Sequence, residues 1–141
     1  MIVKKIPNKD LKKAKIIYQE CFQKKKEYTK EISYHSLKDN LLGLYDKNQL
    51  IGIAQINFFN NIFENKKIAY INSLGINPND QNKGYGNYFM NEIIKYCQKK
   101  KVSQIQLTSN KNRIVAHKLY QKYNFQEINT SFLIKNINKN K

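Results

Sequence analysis

The sequence predicts a single α/β domain, with a mixed, mostly antiparallel central sheet flanked by helices in the order β-α-α-β-β-β-α-β-α-β. Three observations predict it. The 141 residues, 40% of them hydrophobic and 12% aromatic, are enough for one buried core without metal or disulfide staples. The apolar spacing switches from helical to strand-like and back along the chain. A strand, a polar loop with two glycines and an amphipathic helix follow one another between Leu74 and Lys100.

The elements follow in order. Residues 1–6 read as a short first strand. Asn8 is placed to cap a helix over residues 9–22, with Leu11, Ala14, Ile17, Tyr18 and Cys21 on one face. Residues 24–30 form a charged break, and a second helix is expected over residues 33–40. The period then changes. Residues 41–45, 50–59 and 67–76 are rich in Ile, Leu and aromatic residues and are separated by Asp46-Lys47-Asn48 and Asn60-Asn61, which reads as a three-stranded meander. Residues 87–100 form an amphipathic helix with Phe89, Met90, Ile93, Ile94 and Cys97 inward. Residues 104–108 alternate like a strand, 113–122 are helical, and 126–134 read as a closing strand. The domain is expected over residues 1–135, with a polar tail at 136–141.

Composition narrows the function. The net charge is +16, and every basic residue except Arg113 is lysine. Lys, Asn and Ile share A/T-rich codons, so genome bias accounts for the choice of lysine. It does not account for only 10 acidic residues. The resulting field favours anionic ligands and disfavours polycationic substrates. The two cysteines, Cys21 and Cys97, form no metal-ligand or disulfide pattern and read as small apolar residues. Residues 1–7 lack the apolar core of a secretory leader, and no apolar run approaches a membrane span. A cytoplasmic protein with no membrane partner is therefore expected.

The stretch that carries chemistry is Leu74-Gly75-Ile76-Asn77-Pro78-Asn79-Asp80-Gln81-Asn82-Lys83-Gly84-Tyr85-Gly86. Pro78 stops the strand. The loop then delivers main-chain N–H groups to the positive end of a helix. Gly84 and Gly86 let phosphate oxygens approach the backbone, and Lys83 adds a charge. The pattern is neither a P-loop nor a dinucleotide fingerprint, because Lys-Ser/Thr and the third glycine are missing. Taken alone, it leaves two readings open, a pyrophosphate cradle and an ordinary helix N-terminus.

Gln81-x-x-Gly84-x-Gly86 after a strand ending Leu74-Gly75-Ile76-x-Pro78 resembles motif A of the GNAT superfamily of N-acetyltransferases. A helix with Ala116-x-x-x-Tyr120, followed by Asn124-Phe125, resembles its motif B. The resemblance spans most of the chain and implies the following. Acetyl-CoA is the cofactor. The N–H groups of Gln81, Asn82, Lys83, Gly84, Tyr85 and Gly86 hold its pyrophosphate. Leu74, Gly75 and Ile76 pair with the pantetheine arm as an added strand, with Gly75 at a β-bulge that splays the strand from residues 104–108. The Ile76 N–H polarises the thioester carbonyl. Asn110 or Asn112 bonds the pantetheine, and Arg113 is either a phosphate contact or a solvated helix-start residue. Tyr120 protonates the departing thiolate; its alternative is a core tyrosine. His117 and His35 read chiefly as structural or surface residues.

Two departures from the family pattern matter. Asn124 replaces the usual glycine, and Asn tolerates a left-handed backbone. Asn72 stands where many members carry a glutamate base. An ammonium acceptor must lose a proton before its nitrogen attacks. Three explanations stay open: a carboxylate elsewhere (Glu31, Asp39 or Glu64), a water held by Asn72, or an amine that arrives neutral in positive surroundings. The expected activity is acetyl transfer to a primary amine, neutral or anionic, in a direct ternary complex. A basic nucleic-acid or acidic-partner binding module, or a CoA binder without catalysis, is the alternative. A homodimer would be ordinary for the family.

Overall fold

The computed structural model describes residues 1–22 and 40–137, which fall into two compact units, Met1–Thr108 and Ser109–Lys141. The expected second helix and the candidates Glu31, His35 and Asp39 lie outside the described residues.

The first unit contains β1 (Ile2–Lys5), α1 (Leu11–Phe22), β2 (Leu41–Asp46), β3 (Gln49–Asn61), β4 (Lys66–Ile76), α2 (Tyr85–Lys99) and β5 (Gln104–Leu107). Among the described residues the sheet has five strands in the order β1-β2-β3-β4-β5. Its first three pairings are antiparallel and β4–β5 is parallel, as a helical crossover through α2 demands. Strand lengths match expectation closely, because alternating apolar residues on a sheet have one way to bury themselves.

Local chemistry sets the turns. Lys47 and Asn48 have φ of 48° and 65°, a two-residue left-handed hairpin that suits the twist of the strands it joins. The turn expected at Asn60-Asn61 falls later. Both residues pair within the sheet, and the reversal occupies residues 62–65, where the Asn61 side chain accepts the Glu64 N–H at 3.2 Å. The expected Asn8 cap is not made. Pro7, at φ −72°, leads into a short 3₁₀ turn over Asn8–Asp10 with no side-chain cap, and α1 continues from it at Leu11.

Two glycines show which helix covers which face. A Cβ on Gly52 would meet the Phe89 ring of α2 at 3.2 Å, and one on Gly75 would meet Cys21 of α1. Gly52 pairs with Ile76, and Gly75 with Ile53. Successive strand residues face opposite ways, so α1 and α2 lie on opposite faces of the sheet. Under α1, a core forms from Ile6, Leu11, Ala14, Ile17, Tyr45, Leu50 and Ile53. On the other face α2 buries Phe89, Met90, Ile93 and Cys97. Each of the larger of these side chains is worth about 1.5–3 kcal/mol of transfer free energy.

The second unit contains α3 (Ile114–Lys122). The helix ends in a Schellman arrangement. The Phe125 N–H bonds the Tyr120 carbonyl and the Asn124 N–H bonds that of Gln121, both at 3.0 Å, with Asn124 at φ 65°. Asn124 therefore takes the left-handed position usually held by glycine. The closing strand expected over residues 126–134 is not formed. Its apolar residues Phe132, Leu133 and Ile134 are consecutive instead of alternating, and all three are exposed. Strand propensity marks a segment able to pair and supplies no partner by itself.

Candidate active site

Among the described residues no strand pairs with the distal half of β4 on the side of β5, and the register shows how this arises. The last rung between β4 and β5 is Ile71↔Leu107. Against β3, Gln55 pairs with Ser73 and Ile56 with Ile71, so Asn72 is the extra residue of a bulge. The bulge therefore sits at Asn72 and not at Gly75, which pairs regularly with Ile53. A bulge bends its strand and sharpens the twist, and here it falls where the parallel ladder stops.

The backbone direction beyond the bulge follows from one hydrogen bond. The Asn77 N–H donates to the Ile51 carbonyl at 2.7 Å. Alternation then turns the N–H and C=O groups of Leu74 and Ile76 away from β3, toward the side that β5 has left. Leu74 and Ile76 thus carry main-chain groups on a side where no β5 residue pairs with them. Gly75 faces α1 and is required for packing: a Cβ there would lie 2.9 Å from Cys21 Sγ and 3.1 Å from Cys21 Cβ.

The loop after β4 is organised by its own side chains. The Asn77 side chain accepts the Asn79 N–H at 3.4 Å, and a 3₁₀ turn covers Pro78–Asp80. Asn82 and Gly84 both take left-handed backbone, at φ 65° and 83°. Backbone that enters this region at close intervals folds N–H groups into an anion-accepting concavity. Gly84 is also the residue before α2, so no side chain caps the helix, and Tyr88 is the first residue to bond back to it. The N–H groups of Tyr85 and Gly86 precede that bond, at the positive helix end. Among the described residues, chain neighbours apart, nothing lies within 4 Å of a Cβ built on Gly84, which leaves room above the loop.

Three side chains in the loop do work that the motif alone conceals. Gln81 Nε2 donates to the Ile76 carbonyl at 3.0 Å. Lys83 lies 3.8 Å from Asp80, which tempers its charge. Tyr85 donates its hydroxyl to Asp46 at 3.3 Å, tying α2 to the β2–β3 hairpin, and its phenol is shifted upward by desolvation and by the Asp46 carboxylate. Cys21 was expected only as an apolar residue. Its thiol donates to the same Ile76 carbonyl at 3.0 Å. No spacing in the sequence links residues 21 and 76.

The candidate bases divide. Asn72 is exposed at the bulge and carries no ionisable group. Glu64 lies at the far end of β4 from Ile76. It sits in the β3–β4 turn, held by Asn61 and Lys66, and the whole of β4 separates it from Ile76. That length is roughly 33 Å of strand.

In the second unit, Asn110, Asn112 and Arg113 meet in one turn before α3. Asn110 Oδ1 accepts the Asn112 N–H at 2.9 Å, and the Asn110 carbonyl accepts the Arg113 N–H at 3.0 Å. His117 Nε2 lies 3.0 Å from that same carbonyl, a structural role. Tyr120 is 8% exposed. Burial raises its phenol above the ordinary value of 10, opposed by the Arg113 charge.

The sequence model of the acetyltransferase (GNAT) family matches residues 11–125. No curated protein matches the chain by sequence. Among solved structures, a transcriptional regulator from Bacillus halodurans C-125 aligns at TM-score 0.80 and 16% identity, over 95% of this chain and 98% of the other. A ribosomal-protein-alanine N-acetyltransferase from Brucella melitensis biovar Abortus 2308 aligns at 0.76 and 11%, over 96% and 99%. An aminoglycoside acetyltransferase from an uncultured soil metagenomic sample aligns at 0.80 and 14%, over 95% and 97%. At these identities the likeness is one of fold.

Proposed function

This chain belongs to the acetyltransferase (GNAT) family, and on that premise we propose that it moves an acetyl group from acetyl-CoA to a primary amine in a direct ternary complex. The observation that carries the reading is the β4 edge. It turns the backbone of Leu74 and Ile76 away from β3, past the last β5 rung, and runs into a left-handed loop at a helix N-terminus. Acetyl-CoA supplies an already activated thioester. The N–H groups around Gln81–Gly86 bind its pyrophosphate, and Leu74 and Ile76 orient its arm. The Ile76 N–H holds the carbonyl oxygen as negative charge grows there. Asn110, Asn112 and Arg113 serve as further contacts for the cofactor.

The acceptor nitrogen forms the new C–N bond as the C–S bond breaks. The thiolate takes a proton from Tyr120, a phenol that is protonated at neutral pH. The proton shed by the acceptor nitrogen restores that phenol through solvent, so the products are the amide and the free thiol. Glu64 is remote, Asn72 is non-ionisable, and Glu31 and Asp39 lie outside the described residues; the reading proposed is an acceptor that arrives as a neutral amine. The +16 charge supports this reading, since it opposes protonation of a nearby amine. The same charge disfavours polycationic acceptors, so the substrate of the metagenomic aminoglycoside enzyme is not carried over. Residues 1–135 act as one acetyltransferase domain in the cytoplasm. Among the described residues no helix is long and apolar enough to cross a membrane.

The test is isothermal titration of acetyl-CoA into nucleic-acid-free protein at moderate salt. Binding at one site per chain in the micromolar range is expected. No binding, with steeply salt-sensitive retention of RNA, would replace the enzyme with a basic binding module.

A further inference from the structure

One peptide unit at the end of β4 is held at both of its polar ends. Its carbonyl, that of Ile76, accepts from Cys21 Sγ on α1 and from Gln81 Nε2 in the glycine loop, each at 3.0 Å. Its N–H, that of Asn77, donates to Ile51 on β3 at 2.7 Å. A carbonyl oxygen has two lone pairs, and two donors fill them. Ile76 therefore presents, on the side of β5, a carbonyl already satisfied and an N–H that no β5 residue meets.

We infer that Cys21 and Gln81 are positioning residues, which act through the Ile76 carbonyl to fix the strand end that orients the thioester. This rests on the acetyl-CoA reading above. Gln81 opens the motif whose backbone is assigned to the pyrophosphate, yet its side-chain amide points back to the strand. It closes the loop from Ile76 to Gln81, so the position of the phosphate-binding turn sets that of the carbonyl-polarising N–H. Cys21 anchors the same carbonyl from α1. The close fit of Gly75 under its sulfur, where a Cβ would stand at 2.9 Å, keeps the thiol over the strand end. The hydrogen bond requires S–H, and a hydroxyl in its place can make the same bond.

Two probes separate this role from direct phosphate contact: acetyl-CoA, and 3′-phospho-ADP, which carries the pyrophosphate but no pantetheine arm. Both are titrated calorimetrically into wild type, Gln81→Met, Cys21→Ala and Cys21→Ser. Gln81→Met and Cys21→Ala should each weaken acetyl-CoA by about three- to tenfold, the worth of one net hydrogen bond, while 3′-phospho-ADP binds as to wild type. Cys21→Ser should recover the wild-type acetyl-CoA affinity. Equal loss of both ligands in Gln81→Met would make Gln81 a phosphate ligand and overturn the inference for it. A serine variant as weak as the alanine variant would overturn it for Cys21. Wild-type protein that binds neither probe would overturn the cofactor reading itself.

Discussion

Phe125 stands edge-on to Tyr120, with ring centroids 5.9 Å apart and planes at 61°. The same two residues are joined through the backbone, Phe125 N–H to Tyr120 carbonyl at 3.0 Å. Helix termination and the placing of the phenol are thus one event, and Asn124 between them bears the conformational cost at φ 65°.

Asn124→Gly should raise stability by a few tenths to about 1 kcal/mol, because glycine enters the left-handed region without penalty. Asn124→Val should lower it by about 1–2 kcal/mol. Chemical denaturation of both variants measures the difference, and an equal loss in the two would remove the cap argument.

Tyr120→Phe should lower kcat by about 100-fold or more with KM nearly unchanged, as expected when a proton donor is removed. The pH profile carries the sign. Burial raises the Tyr120 phenol above 10, so the donor survives neutral and mildly alkaline pH, and its loss appears only above pH 10. Stability follows the same window. It is unaffected by this group below the unfolded value and declines as pH rises from there through the higher folded value. A Tyr120→Phe protein should lack that part of the alkaline decline.

Gly84→Val tests the phosphate loop. Apart from its chain neighbours, no atom of the described residues lies within 4 Å of its Cβ position, so the cost is conformational, at φ 83°, and not a clash with the core. A loss of about 1–2 kcal/mol in stability is expected. Acetyl-CoA binding should fall much further, below detection by calorimetry, because the side chain occupies the space above the loop. Retained affinity would move the pyrophosphate elsewhere.

Gly75→Ala should destabilise the fold by about 1–3 kcal/mol through overpacking. The added Cβ meets Cys21 Sγ at 2.9 Å and Cys21 Cβ at 3.1 Å. Cys21→Ala removes the sulfur and should recover part of the loss. A double-mutant cycle by thermal or denaturant melting reads the coupling, and strict additivity would show that the two residues do not meet.

Asn72→Ala should keep kcat within about threefold of wild type, whereas loss of a working base costs 100-fold or more. The acid limb of kcat/KM should then follow the acceptor amine and shift when an acceptor of different pKa is used. A limb that stays fixed across acceptors would return the base to the protein.

Much of the fold was legible because its signals are local. The meander from residue 41 to 76 followed from alternation, and the amphipathic helix from Phe89, Met90, Ile93 and Cys97 at helical spacing, all four of which are buried. Asn124 was readable as a left-handed residue from its place after a helix. The bulge was misplaced by three residues. Gly75 looked like the irregular position, but its missing Cβ accommodates α1, and the register breaks at Asn72. The closing strand failed because pairing needs a partner as well as propensity.

By itself, then, the sequence determined the mixed α/β fold class, the family through Gln81-x-x-Gly84-x-Gly86, and the polar, glycine-bearing loop between a strand and an amphipathic helix. Each depends on residues near one another in the chain, where steric limits on φ and helix or strand periodicity act directly. Tertiary structure alone decided where β4 parts from β5 and that Gln81 turns its amide onto the Ile76 carbonyl. It also brought in Cys21, 55 residues away in sequence. Such a contact depends on how α1 seats against the end of a strand, and the energy that holds it comes from packing two faces of a sheet, which no local pattern encodes.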